Sequence, residues 1–149
     1  MSKKILLPID FENSSQHIID EAVKFAKILN AKIVLLHIAS LEIGFVIADL
    51  GFQYLPELEN TELEREANEL TIYKNEISSH NIECESFMLQ GIPSDTIIEK
   101  SKEFGVDYIV MGTHARGAFF EAILGSVTKD VLKKSKIPVL LVPSIKKKV

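Results

Sequence analysis

Short apolar segments alternate with amphipathic segments along the chain, and this alternation predicts repeated strand–helix units. Segments that are apolar at nearly every position are typical of strands buried on both faces of a parallel sheet. We therefore predict five strands, at residues 5–10, 32–39, 82–89, 107–111 and 137–142.

Helices are predicted between these strands. In residues 15–29 the apolar side chains recur with the three- and four-residue spacing of one buried helix face, and Asn30 is a suitable stop. Three further helices are predicted, at residues 62–79, from the turn at 91–93 up to 104–105, and at 126–135.

Residues 40–60 have no clean period and contain Gly44, Gly51 and Pro56. We predict a long, partly apolar excursion there. Because irregular segments of this length in a compact domain are usually functional, the excursion is a candidate lid.

Alternating strands and helices indicate an α/β domain, with right-handed crossovers and helices on both faces of a mainly parallel sheet. With 149 residues, 46% of them apolar and 26% charged, the chain fits one soluble domain over residues 1–149. The first strand–helix turn, residues 10–15, lacks Gly-x-Gly-x-x-Gly, and no Gly-x-x-x-x-Gly-Lys-Ser/Thr occurs. A dinucleotide dehydrogenase and a Walker-type NTPase are therefore disfavoured.

Charge and composition exclude several other classes. The formal net charge of -4 gives no basic surface for nucleic acid, and the lysines at 146–148 are interpreted as a solvated tail. No apolar run is long enough for a membrane span, and no cleavable signal pattern is present, so we expect a cytoplasmic protein without a membrane partner. The single cysteine, Cys84, is expected to pack in the core or at an edge rather than to act as a redox centre.

The most informative segment is residues 107–128, which runs from a predicted strand through a glycine-bearing loop into a helix. Gly112 and Gly117 allow a tight turn and a close approach of backbone N–H groups to a ligand. The Gly125–Ser126 step then offers unpaired amides at the positive end of a helix dipole, where phosphates commonly bind.

This segment resembles the nucleotide-binding signature of the universal stress protein family: glycine, two residues, glycine, nine residues, glycine, then serine or threonine. The corresponding residues here are Gly112, Ala115, Gly125 and Ser126, so alanine replaces one glycine. Residues 4–11, 35–38, 91–93 and 137–143 also resemble family strands and turns, in the same order. The resemblance covers nearly the whole chain.

The resemblance implies a single-domain, Rossmann-like sheet of five parallel strands in the order 3-2-1-4-5, similar to the adenine-nucleotide α-hydrolase fold. Ligands bind where the winding of such a sheet reverses, between strands one and four. Asp10 and Gly112 would meet there. The resemblance also implies a homodimer formed through the last strand.

The family's site residues can be placed on this sequence. Asp10 would accept hydrogen bonds from ribose hydroxyls, and Pro8, Ile9 and the Ile38 backbone would line an adenine slot. Any Mg or Mn ion would be carried on the phosphates. The phosphate cradle and its flanks would comprise Met111, Gly112, Thr113, His114, Ala115, Arg116, Gly117, Gly125, Ser126, Val127 and Thr128, with charge from Arg116.

Each feature also has an ordinary structural interpretation. Asp10 could cap the loop before the first helix, and Gly125–Ser126 could be a turn with an N-cap. His114 could be a surface residue, since no nucleophile accompanies it. His17, His37 and His80 lack metal-ligand spacing.

Three hypotheses follow. The first is a non-catalytic ATP- or AMP-binding stress protein that acts as a nucleotide-dependent dimeric switch on a partner the sequence does not identify. The second is a slow ATPase or an enzyme of the related adenine-nucleotide superfamily, which the lack of a positioned base or metal triad disfavours. The third is a nucleotide-free dimeric interaction protein, which the Ala115 methyl group would favour by hindering phosphates or straining the loop.

Overall fold

The computed structural model describes residues 2–11, 15–39, 45–48, 51–54, 56–113 and 124–143. Strands and helices alternate over most of this length, as the hydrophobic pattern predicts. In chain order the elements are β1 (Lys3–Ile9), α1 (Ser15–Leu29), β2 (Ala31–Ala39), β3 (Phe45–Ala48), β4 (Gly51–Tyr54), α2 (Pro56–Ser79), β5 (Cys84–Gln90), α3 (Pro93–Glu103), β6 (Tyr108–Gly112), α4 (Ser126–Lys134) and β7 (Val139–Val142).

Five of these strands form one parallel sheet in the order β5-β2-β1-β6-β7. Counted along the chain without the β3–β4 pair, this is the order 3-2-1-4-5, so the predicted topology is confirmed. The winding reverses between β1 and β6. That reversal leaves the carboxyl ends of these two strands without a crossover connection above them.

Helices cover both faces of the sheet. Ile5, Leu6 and Leu7 are consecutive residues of β1 and all are fully buried, which is possible only when both faces of a strand are covered. Ile5 and Leu7 join the core on the side of α1 and α2, whereas Leu6 joins the core that contains Ile97 of α3.

The bounds of α1 agree with the prediction. Its buried side chains fall on one face, and the chain leaves the helix at Asn30 in a left-handed conformation with φ of 54°. Asparagine tolerates this conformation because its short polar side chain can bond locally. Cys84 is buried in the same core, as expected.

The interpretation of residues 40–60 as an irregular excursion was wrong in part. The backbone at 45–48 pairs antiparallel with 51–54, and α2 begins at Pro56, six residues before the predicted start at residue 62. Proline suits the first helical turn because its missing N–H would have no intrahelical partner there. Residues 40–44, 49–50 and 55 lie outside the described residues, so the lid remains a prediction.

Among the described residues, no helix combines the length and the apolar character needed to cross a membrane.

Candidate functional site

At the centre of the sheet, where the winding reverses, the pairing of β1 and β6 ends before the strands do, and a ligand crevice is expected at such a point. Their paired register runs through Leu6, which lies opposite Ile109, and no pairing continues beyond it within the described residues. Both strands nevertheless extend further, β1 to Ile9 along β2 and β6 to Gly112 along β7. Within the described residues, the carboxyl ends of the two central strands are therefore each paired with the outer neighbour and not with each other.

The β6 side of this crevice is fixed by two hydrogen bonds. The Thr113 amide donates to the carbonyl of Val142 at 3.1 Å, which holds the chain against β7 after the strand ends. The Thr128 hydroxyl donates to the carbonyl of Gly112, also at 3.1 Å, and the Thr128 side chain is 4% exposed. The first turn of α4 is thus joined to the end of β6.

Helix α4 begins at this edge, and the amides of its first turn have no backbone partner among the described residues. Gly125 is its N-cap, with φ of -60° and ψ of 154°, and no side chain caps the helix among the described residues. The first intrahelical bond runs from the Lys129 amide to the Gly125 carbonyl at 2.9 Å. The amides of Ser126, Val127 and Thr128 come before it and point out of the N-terminus, where the helix dipole favours an anion.

Not all residues of the predicted adenine slot place their side chains on the same face of the sheet. Alternation along the strands places Pro8 and Ile38 on the face that α3 and α4 cover, and Met111 is buried in the core of that face. The Ile9 side chain lies in the opposite core, with α1 and α2. Any contact that Ile9 makes in the crevice is therefore limited to its backbone.

The remaining predicted residues fall into two groups. Asp10 directly follows β1 and is exposed at the crevice edge, and Gly112, Thr113, Gly125, Ser126, Val127 and Thr128 gather around the end of β6 and the start of α4. His114, Ala115, Arg116 and Gly117 lie outside the described residues.

Sequence reasoning missed a buried pair next to Asp10. The His37 side chain is 6% exposed, with Nδ1 2.9 Å from the Ile9 carbonyl oxygen and Nε2 3.0 Å from a carboxylate oxygen of Glu66 on α2. A histidine within an otherwise apolar strand was the available indication. Its partner could not be inferred, because only the packing of α2 on β2 brings the two together.

The residue after Asp10 was also missed. Phe11 has φ of 62°, a left-handed conformation that is costly for a bulky side chain. The centroid of its ring lies 4.3 Å from the centroid of the His37 ring. The ring also stacks on Tyr73 of α2, with a centroid distance of 6.1 Å. Burial raises the pKa of the Tyr73 hydroxyl, and the nearby carboxylates of Glu69 and Glu76 add to the effect.

No metal centre marks a competing site among the described residues. Within the described part of the chain, no three histidine, cysteine or acidic residues gather as metal ligands. A cavity of about 500 Å³ lies at the opposite, amino edge of the sheet, lined by residues that include Lys27, Lys32, His80 and Glu83. It is open to solvent and brings no helix N-terminus to a strand end.

Comparison with known proteins identifies the fold. Residues 1–143 match the sequence model of the Universal stress protein family. The chain is 30% identical to universal stress protein MJ0577 of Methanocaldococcus jannaschii, over 95% of each protein. It is also 30% identical to universal stress protein YxiE of Bacillus subtilis, over 95% of this chain and 99% of the relative.

Solved structures agree with the sequence comparison. The structure of MJ0577 superposes with a TM-score of 0.78 at 31% identity, covering 99% of both chains. An Archaeoglobus fulgidus universal stress protein in complex with dAMP has a TM-score of 0.67 at 20% identity, covering 93% of this chain and 96% of its own. Another universal stress protein, in complex with cAMP, has a TM-score of 0.68 at 22% identity, covering 95% and 97%. The last two show a shared fold.

Proposed function

The chain belongs to the universal stress protein family, and on this premise we propose that it is a non-catalytic adenine-nucleotide-binding protein of the stress response. Its ligand is ATP or AMP, and the bound nucleotide switches the behaviour of a homodimer. Proteins of the same fold in complex with dAMP and cAMP support the ligand class.

The observation that carries this proposal is the crevice between β1 and β6 with the N-terminus of α4 beside it. A nucleotide has an apolar base, a polar ribose and an anionic end, and the crevice offers a matching sequence of surfaces. Pro8 and Ile38 lie on one face for the base, Asp10 stands at the strand end for the ribose, and the amides after Gly125 serve the phosphates.

The phosphate cradle consists of the loop that begins at Gly112 together with the first turn of α4. Because the Thr128 hydroxyl donates to Gly112, we assign that hydroxyl to holding the loop, and assign its amide to the phosphates. Ser126 is exposed and offers both its amide and its hydroxyl. The proposal retains Thr113, His114, Ala115, Arg116 and Gly117 as the rest of the loop, with any Mg or Mn ion carried on the phosphates.

We assign no catalytic residue. Backbone amides and hydroxyls bind phosphate oxygens, but phosphoryl transfer also needs a group that orients or deprotonates the attacking water. Among the residues that the structure describes, the groups placed around the α4 N-terminus are amides, a serine hydroxyl and a threonine hydroxyl already bonded to a carbonyl.

The homodimer in this proposal forms through β7, the edge strand next to β6. Leu140 at its middle is 38% exposed, whereas Val142 is 3% exposed. An exposed apolar edge strand readily pairs with a second strand, and a two-fold axis would let two copies of β7 cover each other. We place the protein in the cytoplasm, consistent with a single buried thiol at Cys84.

Thermal unfolding with and without ATP and magnesium tests nucleotide binding. A ligand that binds only the folded state raises Tm, by roughly 5–10 °C for a chain of this size at a hundredfold excess over Kd. Gly125→Val should abolish the shift. Gly125 has an extended conformation that valine adopts without strain, so this variant should fold while its side chain blocks the amides.

Ile92→Val is the matched control, because Ile92 is the N-cap of α3 and also has an extended backbone. It should keep the full shift. A wild-type protein whose Tm does not respond to millimolar ATP, and which carries no nucleotide when purified, would rule the proposal out.

A further inference from the structure

Phe11 has a backbone conformation that its residue type disfavours. Its φ of 62° lies in the left-handed region, which asparagine tolerates but a bulky side chain adopts only at a cost. Among the described residues, the other non-glycine residues with positive φ are both asparagines, Asn30 and Asn81. A strained conformation of this kind persists only where the surrounding structure holds it, and it commonly occurs at functional sites.

Aromatic packing holds Phe11 in this conformation. Its ring is partly buried against the core on the side of α1 and α2. The ring contacts that of His37 on β2 and stacks nearly parallel to that of Tyr73 on α2, with an interplanar angle of 9°. The His37 ring is itself fixed, because its two nitrogens lie within hydrogen-bond distance of the Ile9 carbonyl and of a Glu66 carboxylate oxygen. Two elements of the fold therefore fix the Phe11 side chain.

Asp10 lies between this fixed side chain and the end of β1. Ile9 is the last residue of β1 and is paired with His37 in the sheet, so the chain is held immediately before Asp10. The Phe11 ring holds it immediately after. Because the Phe11 side chain is anchored, a change of its φ would move the rigid peptide group that joins it to Asp10. The conformation of Phe11 therefore sets the position of Asp10 at the strand end.

We propose that Phe11 is the positioning residue that holds the Asp10 carboxylate against the nucleotide ribose, and that its aromatic packing gives the site its preference for ligands with ribose hydroxyls. This inference rests on the proposed function, because it assigns Asp10 to the ribose. Hydrogen bonds weaken steeply with distance and angle. A small displacement of Asp10 therefore removes the preference while leaving the contacts of the base and the phosphates in place.

Substitutions at position 11 separate the backbone from the ring. Phe11→Ala removes the ring but keeps a Cβ, so the left-handed conformation loses its support and the backbone relaxes. Phe11→Gly also removes the ring, but glycine adopts the left-handed conformation without strain. Tyr73→Leu keeps Phe11 and removes the parallel ring on α2. Asn81 is the matched control position, because it also has φ of 62°, is exposed, and lies between α2 and β5 at the amino edge of the sheet.

The first measurement compares the Kd of ATP with that of 2′,3′-dideoxy-ATP by calorimetry, since specificity is a difference of affinities. Both Kd values are measured on the same protein, so differences in folded fraction between variants cancel in their ratio. Wild type should prefer ATP by about tenfold, as expected for hydrogen bonding to a charged group. The preference should fall to about twofold or less in Phe11→Ala, with Phe11→Gly and Tyr73→Leu between these values. Asn81→Ala should keep the wild-type preference.

The second measurement needs no nucleotide. At an ordinary φ, alanine gives a more stable protein than glycine, because glycine loses more conformational freedom on folding; at a left-handed φ the order reverses. The urea midpoint of Phe11→Gly should therefore be higher than that of Phe11→Ala. Asn81→Gly and Asn81→Ala should show the same order, because the φ of Asn81 is the same.

An ATP preference that stays unchanged in every folded variant at positions 11 and 73 overturns the inference while leaving nucleotide binding intact. So does a Phe11→Ala protein at least as stable as Phe11→Gly, or a wild type that binds the two nucleotides equally. A Phe11→Ala protein that fails to fold beside a folded Phe11→Gly protein supports the left-handed requirement, and Phe11→Gly and Tyr73→Leu then provide the nucleotide comparison. Failure of wild type to bind ATP overturns the proposed function and, with it, the assigned roles of Asp10 and Phe11.

Discussion

The Thr128 hydroxyl donates a hydrogen bond to the Gly112 carbonyl across the gap between α4 and β6. Because Thr128 is 4% exposed, removing the hydroxyl leaves a carbonyl without its partner in a largely water-free place. Thr128→Val, which keeps the shape, should reduce the free energy of unfolding by about 1–3 kcal/mol in urea titration. Thr128→Ser keeps the donor and should lose less; equal losses would mean that packing of the methyl group, rather than the hydrogen bond, matters.

Two buried serines should respond to alanine with opposite signs. Ser15 is 1% exposed and its hydroxyl has no hydrogen-bond partner in the described structure, whereas Ser101 is 2% exposed and its hydroxyl donates to the Ile98 carbonyl at 2.7 Å. Ser15→Ala removes an unsatisfied polar group and should raise Tm by roughly 2–4 °C, equivalent to about 1 kcal/mol. Ser101→Ala should lower it. A lower Tm for Ser15→Ala would indicate a bound water or another partner.

The Cys84 thiol should make stability fall at alkaline pH. Burial raises the pKa of Cys84 to about 11. The folded state therefore keeps a proton that the unfolded chain releases above its ordinary thiol pKa of about 9, so stability is lost as the pH rises between these values, by up to roughly 2 kcal/mol. Urea titrations at several alkaline pH values should show a shallower decline for Cys84→Ala than for wild type. Parallel declines would mean that other groups dominate.

We expect the residue at position 115 to affect how tightly the loop binds phosphate. Ala115→Gly restores the glycine of the family signature, and should bind ATP at least as tightly as wild type if the methyl group hinders the phosphates. Calorimetric Kd values of the two proteins in one buffer compare them directly. Weaker binding by the glycine variant would show that the loop is adapted to alanine.

Dimerisation through β7 predicts a specific effect at Leu140. Leu140 is exposed, whereas Leu141 packs against the core under α4, so Leu140 is the side chain available to a partner. Leu140→Glu should convert a dimer to a monomer or an aggregate in light scattering at tens of micromolar. Leu132→Glu is the matched control, because Leu132 is 40% exposed against 38% for Leu140 and belongs to helix α4 rather than to the edge strand. A monomeric wild type contradicts the dimer.

The features that could be predicted from the sequence are those that depend on the spacing of nearby residues. The bounds of α1 followed from its periodic apolar residues and from Asn30, and both reflect interactions within a few turns of chain. The strand order followed from the resemblance to a known family and was confirmed. The hairpin β3–β4 was missed because its short strands, largely apolar and without clean alternation, resemble the other residues around them.

The His37–Glu66 pair could not be predicted for a different reason. The two residues are 29 positions apart, and they meet only after β2 enters the sheet and α2 packs on it. The same holds for Phe11, whose left-handed backbone is stable because rings from β2 and α2 surround it. Features of this kind depend on tertiary structure, and they gather beside the crevice.

The pairing of β1 and β6 ends early, so selection for stability and selection for ligand binding favour different sequences at this place. If Pro8, which has no N–H to donate, were replaced, pairing that continued past Leu6 and Ile109 would add backbone hydrogen bonds at the centre of the sheet. A sequence selected for rigidity alone would therefore continue the pairing of β1 with β6 and lose the crevice between their ends. The early end of the pairing lowers the stability of the fold, and proteins commonly accept such a loss where a ligand binds. Laboratory evolution for thermostability without nucleotide should accordingly select substitutions that draw the two strands together.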